Sequence, residues 1–396
     1  MNRSKWLAVS CSFLLALALL CSSSGAAFAS VSPHLPCGKW SVAPSPSPGP
    51  SVNNLYGVSA VSTNDVWAVG DADSPGGGGG FSTLIEHWNG KQWRVVASPD
   101  FPGSYASILS SVSVTSGTNA WAAGYYTLPN GGAFTLIEHW DGSKWRVTPS
   151  PNPSQYGNIL DGISAVSGAD VWAAGYYSPP SGGAYTLIEH WNGSQWSITP
   201  SPNPSQSVNI LYSVSATSNS SIWATGSYTS PNGDGYNLIE HWNGSQWSVV
   251  SNPNPSQYGN ILYGVSAVSS SDAWVAGNYY SASLSHTHTL IERWNGSQWR
   301  KMSSPSPGGF ADLLYAVSAL SDTDAWVVGE YLTRSQTEYT LTEHWNGSSW
   351  QVIPAASPGP AHTLKGVTQA PGSTQVWAVG TYSNGSANQT LIEFYC

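Results

Sequence analysis

A unit of about fifty residues recurs along this chain, and a period of that size restricts the fold to a solenoid or a propeller. Two segments alternate. The first is Leu55-Tyr56-Gly57-Val58-Ser59-Ala60-Val61-Ser62, a turn, then Asp65-Val66-Trp67-Ala68-Val69-Gly70. Its Trp returns at Trp121, Trp172, Trp223, Trp274, Trp326 and Trp377, at spacings of 51–54 residues. The second runs from Thr83 to Trp93. Its leading Trp88 recurs at Trp140, Trp191, Trp242, Trp294 and Trp345, and its closing Trp93 at Trp145, Trp196, Trp247, Trp299 and Trp350. With Trp6 and Trp40 these account for all 21 tryptophans.

Each unit reads as four strands. The first is the Leu-x-x-Val-Ser-Ala-Val-Ser stretch of small and β-branched residues. The second carries Val-Trp-Ala-Val-Gly, the third Thr-Leu-Ile-Glu-His-Trp, and the fourth opens on the closing Trp. Between third and fourth strands sits Asn-Gly, or Asp141-Gly142 in one copy, which predicts a type I′ hairpin. Between first and second strands Asp65, Asn119, Asp170, Asp272 and Asp324 predict Asx-turns. Pro-rich stretches such as 200–206 follow the fourth strand and cannot extend a ladder. Four antiparallel strands repeated seven times predict an all-β, seven-bladed β-propeller.

The two ends support closure of that ring. Residues 390–396 give a third strand and stop where its hairpin should begin. The missing fourth strand is found near the N-terminus around Trp40, so the last blade is predicted to be completed by an N-terminal outer strand. Cys37 and Cys396 then fall at the interrupted hairpin, and a disulfide between them is predicted. It would close a loop of about 360 residues, worth roughly 5–6 kcal/mol in the chain-entropy model.

A basic start at Arg3 and Lys5, an apolar core around Phe13–Leu20 and small residues at Ala27 and Ala29 predict a signal peptide over residues 1–29. Residues 30–396 then form one propeller domain that is exported, soluble, without a membrane span, and monomeric. Cys11 and Cys21 leave with the leader, and an oxidising compartment permits the remaining pair to link. Charged residues make up only 8% of the chain and the net charge is -9. Loss of Arg3 and Lys5 leaves the mature chain more acidic still, which argues against a nucleic-acid partner. Twelve per cent aromatic residues exclude a disordered chain.

Val-Trp-Ala-Val-Gly, an aliphatic strand, and Trp191-Asn192-Gly193-Ser194-Gln195-Trp196 together resemble the tectonin repeat and, more loosely, kelch-type blades. The resemblance covers essentially the whole chain after the leader. It implies a propeller and, by analogy with tectonin-like proteins, carbohydrate or cell-surface recognition.

In such a fold the fourth-to-first and second-to-third connections share one face, and here they vary in length and sequence while the opposite turns are uniform. Function is expected on the variable face. Tyr126, Tyr177, Tyr228, Tyr279, Tyr331 and Tyr382 stand two residues after the second-strand glycines on that side. Opposite them come Phe134, Tyr185, Tyr236, His288 and Tyr339. One reading is cross-strand aromatic pairing; the other is a set of sugar-stacking platforms.

Seven glutamates share one position: Glu86, Glu138, Glu189, Glu240, Glu292, Glu343 and Glu393. An acid repeated once per blade lies on a ring, whereas glycoside chemistry needs one asymmetric pair, so these are expected to be partly buried structural groups. The following histidines are read as packing groups. Asp71 with Asp73, and His286 with His288, lack a complete metal-ligand pattern. The arginines after the leader do not form the cluster a sialidase needs. The expected function is a secreted, non-catalytic, lectin-like module with no cofactor, binding extracellular glycans through the variable face. A protein-interaction or structural surface protein is the alternative, and a glycoside hydrolase or lyase ranks last.

Overall fold

Small residues alternating with β-branched ones favour pleated strands that can lie close together, and the described chain is built from strands throughout. The computed structural model describes residues 38–74, 79–282 and 286–396. The leader over residues 1–29 and Cys37 lie outside them, as do parts of the glycine run at 74–80 and of the loop at 281–288.

The first complete repeat forms a sheet of Asn53–Ser62, Asp65–Asp73, Phe81–Trp88 and Trp93–Val95, antiparallel and in chain order. Three further repeats give separate four-stranded sheets of the same order. The strands of Asn260–Met302 and Ala311–Val352 make two more such sets, joined by one parallel pair at Thr287 and Ala311. The last sheet departs from chain order as the sequence predicts. His362–Gln369, Val376–Ser383 and Asn388–Tyr395 receive Ser41–Val42 as their fourth strand, with Ser41 opposite Phe394 and Val42 opposite Glu393. The Gly38 amide donates to the Cys396 carbonyl at 2.9 Å, so the two ends meet.

Every first strand carries a bulge at the same place. Leu55 pairs with Gly70 and Gly57 with Val69, which leaves Tyr56 unpaired between them. The shift recurs between Leu160 and Gly162 and between Leu364 and Gly366. The facing glycine is a steric requirement of this bulge. A Cβ on Gly70 would stand 1.9 Å from the Asn54 carbonyl oxygen, and one on Gly175 1.9 Å from that of Ile159.

Both turn predictions are corrected in detail. At the third-to-fourth hairpin Trp88 pairs with Trp93, so four residues form the loop. Only Gly90 takes positive φ there, which excludes a type I′ turn. Asn89 accepts the amides of Lys91 and Gln92 and closes the loop through its side chain. In the first-to-second turn a serine plays the expected aspartate role: the Asn64 amide donates to Ser62 Oγ and the Ala169 amide to Ser167 Oγ. The aspartates instead face the third strand. Asp65 Oδ1 accepts from Trp67 Nε1 at 3.0 Å and lies 2.8 Å from His87 Nε2. The His87 ring stacks on Trp67 at 4.2 Å, so the histidines are packing groups.

Tryptophan joins sheet to sheet. Trp67 meets Trp140 at 5.0 Å and Trp145 at 5.4 Å in the next sheet, and Trp172 meets Trp242 and Trp247 likewise. Trp326 packs on Trp40 at 5.5 Å and on Tyr395 at 4.8 Å. Trp377 returns to Trp88 at 5.0 Å and Trp93 at 5.3 Å, so the last sheet lies against the first. Inside the tryptophan layer the first strands touch through serines. The Val114 amide donates to Ser59 Oγ, Ala165 to Ser113, Ala216 to Ser164, and Gln369 to Ser318. This contact accounts for the serine held at that position of the strand.

Candidate functional site

A bulge turns one residue out of the ladder and re-aims its side chain. Here the bulged residues of the seven first strands are Tyr56, Ser110, Asp161, Tyr212, Tyr263, Tyr315 and Lys365, and all line one cavity of 320 Å³ with Ile108 and Tyr125. Four of these side chains are tyrosines, and Ser110, Asp161 and Lys365 break the repetition of the surrounding framework. Tyr212, Tyr263 and Tyr315 form a run of rings at 5.1 and 5.4 Å. Lys365 Nζ lies 3.3 Å from the centre of the Tyr315 ring, a cation–π contact. The Tyr315 hydroxyl donates to Glu330 Oε1 at 2.8 Å.

The charges of this cavity are unequal. Asp71 accepts from the Asn54 amide and from the Tyr56 hydroxyl. Burial raises its carboxyl pKa, and those bonds oppose the rise. Burial lowers the Lys365 pKa against the pull of Glu330 and Glu338. Burial and the nearby Glu330 raise Glu338 to about 7. Asp161 is pushed to about 7 by burial, with no side chain donating to it. Its charge is felt by the hydroxyls of Tyr125, Tyr176 and Tyr212, and burial holds all three above the usual phenol range.

The sequence-predicted tyrosines sit elsewhere. Tyr126 faces Phe134, Tyr177 faces Tyr185, Tyr228 faces Tyr236, Tyr279 faces His288 and Tyr331 faces Tyr339 across the second-to-third hairpins, while Tyr382 faces Gln389. Each packs into the core of its own stretch of the molecule, and they do not converge on a common centre. Tyr126 is buried and stacks on Phe101 at 3.8 Å. Tyr279 is half-buried and lines a separate 400 Å³ cavity with His288, Lys301, Ser304 and Ser306. Lys301 Nζ stands 4.1 Å from the centre of its ring.

The seven glutamates are more deeply placed than expected, each fully buried. Ser98 donates to Glu138, Asn237 to Glu292 and the Ala356 amide to Glu393. Desolvation raises every one of these acids, to about 8 at Glu189 and Glu240. Glu138, Glu292 and Glu393 bond across the packing between repeats, whereas Glu86 and Glu343 have both carboxyl oxygens buried without a hydrogen-bond partner among the described residues. Asp73 accepts the amides of Ser51 and Val52, and His286 lies 3.0 Å from Asp312. Among the described residues no group of three or more His, Cys, Asp or Glu side chains is arranged to hold a metal. No described helix is long and apolar enough to cross a membrane.

Sequence reasoning missed the bulge ring because it compared repeats for what they share. The signal was present in the residue after the first-strand leucine, which changes from Tyr56 to Ser110, Asp161 and Lys365 while the leucine before it holds constant.

No protein-family model matches this chain, and no curated protein matches it. Solved structures do. The chain is similar to YCF48 bound to D1 peptide, with TM-score 0.53 and 14% identity, covering 93% of this chain and 98% of that one. It is similar to a chain of a mitotic checkpoint complex, with TM-score 0.53 and 11% identity over 99% of both. A Trypanosoma rangeli sialidase in complex with the inhibitor DANA reaches TM-score 0.46 at 7% identity, over 86% of this chain and 55% of that one. The first two likenesses establish a β-propeller repeat fold.

Proposed function

We propose that residues 30–396 form a closed, seven-bladed β-propeller of tectonin-like or kelch-like type, exported and monomeric, that serves as a non-catalytic binding module for extracellular glycans. Closure is supported by the return of Trp377 to Trp88 and Trp93 and by the N-terminal strand in the last sheet. The Gly38–Cys396 bond supports a Cys37–Cys396 disulfide. The observation that carries the glycan reading is the cavity beside Tyr279. It combines an aromatic face with Lys301, Ser304 and Ser306, a mixture suited to a sugar's apolar face and its hydroxyls. Against catalysis, the repeated glutamates are buried one per repeat.

A glycan array probed with the purified mature chain tests this reading. Binding that disappears in Tyr279→Ala at an unchanged melting temperature is the expected result. An array without signal overturns the glycan assignment.

The bulge-lined cavity favours a second reading, a protein or peptide partner. It gathers the residues that distinguish one repeat from another, as a single partner would require, and YCF48 is a propeller solved with a peptide. Such a partner would saturate one site rather than several.

A further inference from the structure

The bulge-lined cavity contains a carboxylate that nothing in the protein uses. Asp161 makes no hydrogen bond or ion pair among the described residues, whereas the other acids nearby are engaged: Asp71 with Asn54 and Tyr56, and Glu330 with Tyr315. Asp161 is half-buried and its carboxylate lines the cavity, so an acid there without a protein partner is open to a cation from outside. The neighbours of Asp161 suit a soft cation. The rings of Tyr125 and Tyr212 line the same cavity, and aromatic faces attract alkylammonium groups through their quadrupole.

The cavity already displays this mode of binding once. Lys365 brings its own ammonium over the Tyr315 ring at 3.3 Å, with Glu330 alongside. Around Asp161 the corresponding parts are present, aromatic rings and a carboxylate, but no lysine or arginine among the described residues pairs with it. We infer that this cavity binds an alkylammonium group, held between the Asp161 carboxylate and the faces of Tyr125 and Tyr212. The chemistry admits a free small amine or a lysine side chain of a partner. The site is separate from the Tyr279 cavity and does not depend on the glycan reading.

Calorimetric titration of the full mature chain with choline chloride and with n-butylammonium chloride, at matched ionic strength, tests the inference. Saturable one-to-one binding of at least one probe at millimolar concentration is expected. Preference for choline indicates a free quaternary amine, and preference for butylammonium indicates a lysine side chain. Asp161→Asn is expected to weaken binding by about tenfold or more. Asp161→Ser should do the same with the fold intact, because Ser110 occupies the equivalent bulge in the preceding repeat. Tyr279→Ala should leave the affinity unchanged, which separates this site from the glycan site. Failure of both probes to bind, or equal affinity in folded Asp161→Ser, overturns the inference.

Discussion

Glu189 and its six counterparts are carboxyl groups buried beside apolar strands, where the neutral form is favoured. Their protonation therefore couples to folding. In the unfolded chain a glutamate ionises near pH 4.5, whereas in the folded protein Glu189 stays protonated to about 8. Between these values the unfolded state releases the proton first, so stability falls as pH rises and levels off above the folded pKa. Glu189→Gln is expected to reduce the slope of unfolding free energy against pH in this window by about 1.4 kcal/mol per pH unit. Denaturant melts at pH 5, 6 and 7 measure it, and identical slopes for the two proteins would refute the assignment. At Trp172, which is 2% exposed and wedged against Trp242 and Trp247, truncation to Ala should cost about 3–5 kcal/mol. The structural role of the glutamates was legible because repetition itself argues against a single catalytic pair. Asp161 was not, because its significance comes from six companions spaced fifty or more residues apart in sequence that only the packing of first strands brings together.

The bulge is the element that links sequence to cavity. Without it the residue after the first-strand leucine would sit within the ladder, in register with the second strand. Gly175 permits the close approach that the bulge requires, since a Cβ there would meet the Ile159 carbonyl oxygen at 1.9 Å. Gly175→Ala should destabilise the protein by about 1–3 kcal/mol and, where folded, weaken alkylammonium binding through displacement of Asp161. A melting temperature and affinity equal to wild type would contradict this account of the bulge. The strands themselves were readable from alternation and from the paired tryptophans. The turns were harder: Asn-Gly and Asp before Trp are strong local signals, but the observed geometry was decided elsewhere. Asn89 bonds two amides of its own loop, and Asp65 is drawn away by Trp67 and His87. Local propensity names the residue that turns the chain without fixing which partner its side chain takes.

At the scale of the molecule, an outer strand borrowed from the N-terminus finishes the final sheet, and Trp40 fills the place that Trp93 and its counterparts take in other sheets. Trp40 is 4% exposed, and Trp40→Ala should cost about 3–5 kcal/mol, read as a lower unfolding midpoint in denaturant. This arrangement was legible in the sequence because the C-terminus stops after a third strand and the fourth-strand motif stands alone at the other end. The ligand was not legible, since a propeller framework supports many partners and its choice among them rests on a few non-repeated side chains. The central claim is that the two ends meet and seal a ring around the bulge-lined cavity. Peptide mapping of the unreduced protein by mass spectrometry tests it most directly. The account predicts a single linked pair of peptides containing Cys37 and Cys396. Recovery of both cysteines as freely alkylated thiols from the native protein would contradict it.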